Sequence, residues 1–477
     1  MSEEKILNQK FSRRELLRKA VLGGTGIVAA SAFAACATPT PQVTKETVVV
    51  KETQVVEKQV EKVVTATPQP KAPVTLRYGL SWVTQTEHHK AEEELAATFT
   101  QKNPNIKVNW EDYDHQKFLV QAAAKQAPDV VIGPVPEWGP AGGVIDLLPY
   151  AKSDKEFQLE DFADVPLQDG VWRGKLYWIP NMTVNWNIFY YNKDMFDAAG
   201  LAQPDIDKNW TWEYFLEACQ KFTVKKGDIV ERMGYSNWWY PAMNGIFVES
   251  NHGRWFNEDA TEVMFNKPEA VDGLQFMADL TYKYNVSPKE DQGPVLGAKQ
   301  WEMTGFASQK IAFVTSGPWE MSVVKDAPFK IGFATVPVAK KEYLGERISY
   351  LGGGTSLAIA TTSDHHDEAW QFLKFATSAD AQLRRMWNFP TRRSAAERLK
   401  QNPPEKYWPK DLMDLMLAVL TSPKATKCQE RYVQFDSDFR TAFWKYWDML
   451  RLGQMSAQEA MDKAAAECNP MLKKWAE

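Results

Sequence analysis

The globular part of the chain opens with residues 74–80, VTLRYGL, in which apolar and polar side chains alternate. An alternation with a period of two is typical of a β-strand that buries one face. The pattern that follows predicts a helix over 90–100, a strand over 106–110, a helix over 116–125 and a short buried strand over 129–132. This β-α-β-α-β order predicts a mostly parallel sheet with helices on both faces, which defines an α/β fold.

The remainder of the chain continues this alternation of strands and helices. Strands are predicted over 310–315 and 357–360, and a helix with several large apolar side chains is predicted over 367–377. From about residue 395 onward the pattern is mainly helical. The length of 477 residues suggests two or three domains.

The N-terminus has the features of an export signal. Residues 12–19, SRRELLRK, contain an adjacent arginine pair, and the stretch 20–35 is uncharged and rich in Ala and Gly. Since residues 33–36 read FAAC, residues 1–35 resemble a twin-arginine signal peptide ending at a lipoprotein cleavage site, with Cys36 as the lipidated residue. A membrane-spanning helix is the alternative for residues 20–35. That stretch is short and only weakly apolar beside the roughly 20 apolar residues that a span needs. Phe33 departs from the Leu that is more common there in such signals.

Residues 36–73 have a different composition from the rest of the chain. They are rich in Val, Thr, Lys, Glu and Pro, and they contain neither Leu nor an aromatic residue. Such a segment buries too little apolar surface to offset the entropy of ordering it. We therefore predict a flexible tether that holds an exported domain at the outer face of the cytoplasmic membrane, anchored by the lipid on Cys36. The alternative, a short Val-rich strand or helix, would leave the functional prediction unchanged.

Charge and cysteine content exclude several classes of protein. The six basic and three acidic residues before Cys36 leave 50 basic and 58 acidic residues, so the remaining chain has a formal charge of −8. An acidic chain is not suited to binding nucleic acid or an anionic membrane surface.

Cys219, Cys428 and Cys468 have no ligand-like spacing, so a zinc site is not expected. One disulfide with a free thiol and three reduced cysteines both remain open.

Large aromatic residues follow four predicted strands, which are those at 74–80, 129–132 and 310–315 and a short strand around 233–235. In open α/β sheets ligands bind at the carboxyl ends of the strands, so we expect these rings to meet near one crevice. The alternative for each ring is a place in the core, the commoner fate of tryptophan. The rings are Trp82, Trp138, the run of Trp238, Trp239 and Tyr240, and Trp319.

A carbohydrate has the shape that such rings bind. A sugar ring presents C–H groups on its faces and hydroxyl groups around its rim, so an indole can stack on it while polar side chains bind the hydroxyls. The candidate polar partners are Glu87, Asn185, Asn237 and Arg392.

Several motifs, in order, resemble family 1 extracellular solute-binding proteins, the sugar receptors of bacterial ABC importers. The strongest are residues 174–180 (GKLYWIP), 190–201 (YYNKDMFDAAGL) and 209–213 (NWTWE). The later motifs are 311–319 (IAFVTSGPW), 352–359 (GGGTSLAI), 368–375 (EAWQFLKF) and 390–394 (PTRRS).

The resemblance implies a two-lobed, type II periplasmic-binding-protein-like clamp in which each lobe is a mostly parallel sheet flanked by helices. One lobe would hold residues 74–184 and 337–390, and the other would hold 185–336 and 391–477. The ligand would lie between the lobes and be buried by hinge closure. The resemblance also implies a monomer without catalytic activity or cofactor, which delivers a mono- or oligosaccharide to the permease subunits of an ABC importer.

By position, the resemblance assigns ligand contacts to the strand-end loops and to the segments that join the lobes. Asn185 departs from the acidic residue that some relatives have there, so its hydrogen-bonding partner is expected to differ. The implied contact residues are Trp82, Glu87, Trp138, Asn185, Trp238, Trp239, Tyr240, Trp319 and the turn at Gly353.

Three other functions are weaker interpretations of the sequence. A secreted glycoside hydrolase would need two carboxylates about 5–9.5 Å apart, and the acidic run 92–94 is predicted to be a solvated helix face. A receptor for a metal or metal complex would have to use the histidine pairs 88–89 and 365–366, but adjacent helical residues point apart. A receptor for a small phosphate ester such as glycerol phosphate is disfavoured by the 19 tryptophans.

Overall fold

The computed structural model describes most of the globular chain. The predicted signal peptide (1–35), the predicted lipidation residue Cys36 and the predicted tether up to residue 71 lie outside the described residues. The described ranges are 72–81, 86–133, 136–185, 187–227, 229–236, 245–258, 260–297, 303–352, 355–385, 388–405, 407–426 and 437–476.

Fifteen strands occur within the described ranges. In chain order they are β1 (Val74–Leu80), β2 (Ile106–Asp112), β3 (Val130–Ile132), β4 (Val171–Trp172), β5 (Lys175–Leu176), β6 (Met182–Asn185), β7 (Ile188–Asn192), β8 (Val224–Lys226), β9 (Ile229–Ser236), β10 (Ile311–Ser316), β11 (Ile331–Ala334), β12 (Ser349–Gly352), β13 (Leu357–Ile359), β14 (Phe389–Pro390) and β15 (Ala425–Thr426).

Seventeen α-helices occur in the same ranges. They are α1 (Thr86–Lys102), α2 (Phe118–Ala123), α3 (Leu148–Ser153), α4 (Asp164–Asp169), α5 (Lys193–Ala199), α6 (Trp212–Phe222), α7 (Ile246–Ser250), α8 (Pro268–Tyr282), α9 (Gly293–Leu296), α10 (Thr304–Ala307), α11 (Met321–Val324), α12 (His366–Ala376), α13 (Ala379–Arg384), α14 (Arg393–Gln401), α15 (Lys410–Leu420), α16 (Ser437–Arg451) and α17 (Ala457–Ala476).

Short 3₁₀ helices connect some of these elements. Those in the described ranges are His115–Lys117, Pro136–Trp138, Leu159–Asp161, Pro318–Glu320 and Lys341–Tyr343.

The first sheet has the strand order β13-β3-β1-β2. Strand β1 pairs in parallel with both β2 and β3, and the edge strand β13 is antiparallel to β3. The alternation predicted for β1 is confirmed, because Leu76, Tyr78 and Leu80 are buried. Helices α1 and α12 supply Phe99 and Phe372 to the same core. The predicted α/β fold with a parallel β-α-β-α-β start is therefore correct.

The second sheet has the order β11-β7-β10-β9-β8, and the prediction that it is mostly parallel is wrong. Of its four pairings, β9 with β10 is parallel and the other three are antiparallel. The direction of β7 follows from the edge of the sheet at which the chain enters this strand. The first residue of β7, Ile188, lies opposite Ser316, the last residue of β10. Because β7 enters at the edge where β10 leaves, the two strands run in opposite directions.

Two connections between the sheets run side by side. Ile179 and Leu357 exchange backbone hydrogen bonds of 2.9 Å beside the first sheet. Further along, β6 pairs antiparallel with β12, with Val184 opposite Gly352. Strand β14 pairs with the other edge of β6. The chain therefore passes from one sheet to the other in adjacent, hydrogen-bonded segments.

Each sheet has its own hydrophobic core, and the cores bear on the predicted lobe limits. Val338, Ile348 and Tyr350 pack in the core of the second sheet, whereas Leu357 packs in the core of the first. The predicted lobe limits, including residue 337 as the start of the second part of lobe 1, stay predictions.

The described cysteines are reduced. Cys219 and Cys468 are buried free thiols, and burial raises the pKa of Cys468 to about 12. Cys428 lies outside the described residues. Within the described ranges, none of the helices has both the length and the apolar character that a membrane span requires.

Candidate functional site

Two of the strands that precede the predicted aromatic contacts end at one edge of the second sheet. Strands β9 and β10 are parallel, with Ser236 paired to Val314, so the chain leaves both strands at the same edge. Trp319 follows β10 by three residues. Trp238, Trp239 and Tyr240 begin two residues past the end of β9, but they lie outside the described residues.

Trp319 is a half-buried ring whose position is fixed by close contact with Gly317. A Cβ atom added to Gly317 would lie 1.7 Å from Cζ3 and 2.1 Å from Cη2 of the Trp319 indole. The benzo edge of the ring therefore crosses directly over the glycine Cα, which only a residue without a side chain permits. The carbonyl of Gly317 is held in turn, because the buried Tyr190 hydroxyl donates to it at 2.7 Å.

The opposite edge of the same indole meets a buried carboxyl group. Trp319 Nε1 donates to Glu320 Oε1 at 3.0 Å, and Ser316 Oγ donates to the same oxygen at 3.1 Å. Glu320 is 3% exposed. Burial raises the pKa of the Glu320 carboxyl to about 7, and the two hydrogen bonds only partly oppose this shift.

The first sheet also presents polar groups where its strands end. Ser81 follows β1, and its hydroxyl lies 3.1 Å from Nδ1 of His115, which follows β2. The Tyr113 hydroxyl donates to the carbonyl of Ile132 at 2.8 Å. Trp82 comes next after Ser81 but lies outside the described residues.

Trp138 also follows a strand of the first sheet, but its ring lies inside the protein. It is 1% exposed and stacks on Phe118, with ring centroids 3.9 Å apart. In this structure the Trp138 indole is covered by protein. Its predicted contact with a solute stays a prediction.

Three predicted contacts are located by their backbone or chain position alone. Asn185 is the last residue of β6, and its backbone lies opposite Leu351 of β12. Glu87 is in the first turn of α1. The side chains of Asn185 and Glu87, and all of Gly353, lie outside the described residues. Their ligand contacts stay predictions.

Arg392 is buried in a polar network of its own. Its Nε donates to the carbonyl of Thr377 at 2.7 Å and its Nη2 to that of Phe157 at 2.9 Å. Nη1 lies 3.3 Å from Asp161 Oδ2, and the guanidinium lies 4.1 Å from the centre of the Phe162 ring. Burial lowers the pKa of Arg392. These bonds hold α14 against the core, and the predicted solute contact stays a prediction.

The acidic run 92–94 is only partly solvated, so that prediction is wrong for Glu92. Its carboxylate is 0% exposed and accepts from Arg385 at 2.5 and 2.7 Å and from the Tyr78 hydroxyl at 2.9 Å. Arg385 is 293 residues away in sequence, so the neighbours of Glu92 gave no sign of this partner. Glu93 and Glu94 are exposed as predicted.

Sequence reasoning missed Glu320, Ser316 and Tyr190, which fix the Trp319 ring. One usable signal was the spacing of Ser316 and Glu320, the residues that flank the Gly317–Trp319 turn. An acid beside an aromatic residue at a strand end is a candidate for a hydrogen bond to the indole N–H. In the described ranges, no group of three or more His, Cys, Asp or Glu side chains is arranged to hold a metal ion.

Comparison with known proteins agrees with this fold. The chain is 21% identical over 402 residues to the arabinooligosaccharide-binding protein of Halalkalibacterium halodurans, covering 80% of this chain and 87% of that one. The fold is similar to an ABC substrate-binding protein of Listeria monocytogenes in complex with cycloalternan, with a TM-score of 0.68, 21% identity and coverage of 84% and 99%. It is also similar to the maltose/maltodextrin-binding domain of Bdellovibrio bacteriovorus bound to maltotriose, with a TM-score of 0.63, 20% identity and coverage of 84% and 100%.

The α/β fold is that of the periplasmic binding proteins, with one mostly parallel sheet and one mostly antiparallel sheet. A family model described as bacterial extracellular solute-binding protein matches residues 82–383, and the chain belongs to this family. The family consists of solute-binding proteins without catalytic activity, which confirms that the chain is not an enzyme.

Proposed function

We propose that this protein captures a mono- or oligosaccharide between two lobes and delivers it to the permease subunits of an ABC importer. The observation that carries the proposal is the half-buried indole of Trp319, fixed at the edge where β9 and β10 end. An immobilised indole stacks on the C–H face of a sugar without a further loss of side-chain entropy. The strand ends of the first sheet would supply the Ser81 hydroxyl and the His115 imidazole for hydrogen bonds to the sugar rim.

The relatives support carbohydrate as the class of solute. Their names or bound molecules are arabinooligosaccharides, cycloalternan and maltotriose, which are sugars of different linkage and shape. What they share is several pyranose or furanose faces for stacking and a rim of hydroxyl groups. A carbohydrate is thus the class of solute that both the ring geometry and the family favour.

The adjacent connections between the two sheets support a clamp. Ile179 bonds to Leu357 beside the first sheet, and β6 pairs with β12 further along, so described parts of both connections lie next to each other. A change in the backbone angles of a few residues in such segments rotates one lobe against the other. Closure of this kind would bring the strand ends of both sheets onto one solute.

Export and anchoring complete the proposal. The arginine pair and the FAAC sequence imply a signal peptide over 1–35 and a lipid on Cys36. The test is to express the full chain and its Cys36→Ala variant in a bacterium with lipoprotein processing. We expect the wild type in the membrane fraction and the variant released in soluble form, and equal distribution of the two would contradict the anchor.

The solute class is tested by a thermal-shift screen on the exported domain. The panel contains maltotriose, arabino-oligosaccharides, cycloalternan and glycerol 3-phosphate, because a solute that binds the folded state raises the melting temperature. We expect at least one carbohydrate to stabilise the protein. Stabilisation by glycerol 3-phosphate alone would contradict the carbohydrate proposal.

The role of Trp319 is tested by calorimetric titration of the best carbohydrate. Trp319→Ala should weaken binding by about 1–3 kcal/mol, the contribution of one largely buried ring. The matched control is Trp212→Ala, because Trp212 is also half-buried but stacks on Phe276 in the helical layer, with centroids 4.4 Å apart. Equal affinity of the Trp319 variant and the wild type would remove this residue from the site.

A further inference from the structure

The indole of Trp319 is held at two opposite edges. Its benzo edge lies against Gly317, and its pyrrole N–H is bound by Glu320 Oε1 at 3.0 Å. Contact at one edge alone would leave the ring free to pivot about that contact. The hydrogen bond at the other edge selects one orientation of the ring plane.

Glu320 is itself fixed from within the protein. Its carboxyl group is 3% exposed, and Oε1 accepts a second hydrogen bond from Ser316 Oγ at 3.1 Å. Ser316 is the last residue of β10 and is 0% exposed. The chain of contacts therefore runs from a buried strand, through a serine and a carboxyl group, to a half-buried ring.

A purely structural role does not explain a carboxyl group in this place. Burying an acid disfavours its charged form, and an apolar side chain of the same length would fill the volume without that cost. The shift of the Glu320 pKa to about 7 is a measure of this cost. The Glu320 carboxyl group is better explained by its hydrogen bond to the half-buried Trp319 indole beside it.

We propose that Glu320 is a positioning residue that sets the orientation of the Trp319 indole for a stacked solute. The effect on solute binding rests on the proposed function, whereas the orientation of the ring does not. An acceptor at this position keeps the ring plane fixed before the solute arrives, which removes an ordering cost from binding.

The proposal is tested first without any solute. In protein labelled with ¹⁵N at tryptophan, the indole N–H resonance of Trp319 is identified by its loss in Trp319→Phe. Glu320→Met removes the acceptor but keeps an unbranched side chain of similar length, and we expect the resonance to move upfield. Glu320→Gln keeps a carbonyl acceptor and should restore a resonance close to that of the wild type. A resonance unchanged in Glu320→Met would overturn the proposal.

The second arm measures affinity and stability together, with maltotriose and arabino-oligosaccharides as probes. Glu320→Met should bind at least about fivefold more weakly than the wild type, yet melt at the same or a higher temperature, because a buried acid has been replaced by an apolar group. Glu320→Gln should recover most of the affinity. A merely structural residue would show the opposite, with stability lost and affinity kept.

A double-mutant cycle separates action through Trp319 from direct contact with the solute. In the Trp319→Ala background, Glu320→Met should change affinity by less than about twofold, since its target is absent. An undiminished effect in that background would overturn the positioning role. If no probe binds the wild type, the carbohydrate proposal fails, and the orientation claim is decided by the indole resonance alone.

Discussion

Trp138 and Trp319 each follow a strand by a few residues, but the two rings have different surroundings. Trp138 is 1% exposed and stacks on Phe118, with centroids 3.9 Å apart. Trp319 is half-buried, crosses over the Cα of Gly317 and donates its N–H to Glu320. One indole is part of the core, and the other is held at the surface of the strand-end edge.

The comparison shows that a strand-end position does not by itself decide how far an aromatic ring is covered by protein. The residue that the ring packs against decides this. An aromatic partner such as Phe118 covers the indole face that a solute would use. At Trp319 the two edges of the indole contact Gly317 and Glu320, and the residue as a whole is half-buried.

The largest effect is expected from Trp138→Ala. Loss of a fully buried indole should reduce the free energy of unfolding by about 3–5 kcal/mol, because it leaves a cavity beside Phe118. Urea unfolding of the exported domain measures this change. A loss below about 1 kcal/mol would mean that the ring is not part of the core.

The next effect concerns pH and the acid that holds Trp319. An acid whose pKa is raised in the folded state binds its proton more tightly when folded, so its contribution to stability falls as pH rises from about 4.5 to about 7. Glutamine does not titrate. The free energy of unfolding of Glu320→Gln should therefore rise by roughly 3 kcal/mol relative to that of the wild type between pH 4 and pH 8. Urea unfolding at both pH values checks this. A pH-independent difference would contradict the raised pKa.

Gly317→Ala tests the contact at the benzo edge of the Trp319 ring. The added methyl group would lie 1.7 Å from Trp319 Cζ3, so the indole has to move. We expect a loss of stability of about 1–3 kcal/mol and weaker solute binding. The control is Gly174→Ala, at a glycine whose Cβ would meet nothing within 4 Å, although its φ of +79° adds local strain. An unchanged affinity in Gly317→Ala would show that the indole position is irrelevant to binding.

The smallest effect is expected from Trp319→Phe. Phenylalanine keeps an aromatic face but cannot donate to Glu320, so affinity should fall by about 1 kcal/mol, the net contribution of a typical hydrogen bond. Calorimetric titration next to Trp319→Ala gives the comparison. Equal losses in the two variants would mean that stacking by the ring contributes nothing.

Much of the fold could be predicted because its signals are local. The alternation at 74–80 predicted β1 with its observed bounds, and the apolar helix predicted over 367–377 matches α12. Strand direction in the second sheet could not be predicted in this way. The antiparallel pairing of β7 with β10 depends on where the chain enters the sheet, and no residue of β7 encodes that point.

The site was less predictable than the fold because its contacts join distant residues. The partner of Glu92 is Arg385, and the partner of the Tyr190 hydroxyl is the carbonyl of Gly317. Position along the chain located Trp319 at a strand end. It could not show that Glu320 is buried or that Trp138 is covered by Phe118.

The central claim is that Trp319 stacks on a carbohydrate, and a crystal structure with the tightest-binding oligosaccharide tests it most directly. The account expects a sugar ring parallel to the indole at a contact distance of about 3.5–4 Å, with the Glu320 hydrogen bond intact. An oligosaccharide bound elsewhere, with Trp319 touching only protein and solvent, would contradict it.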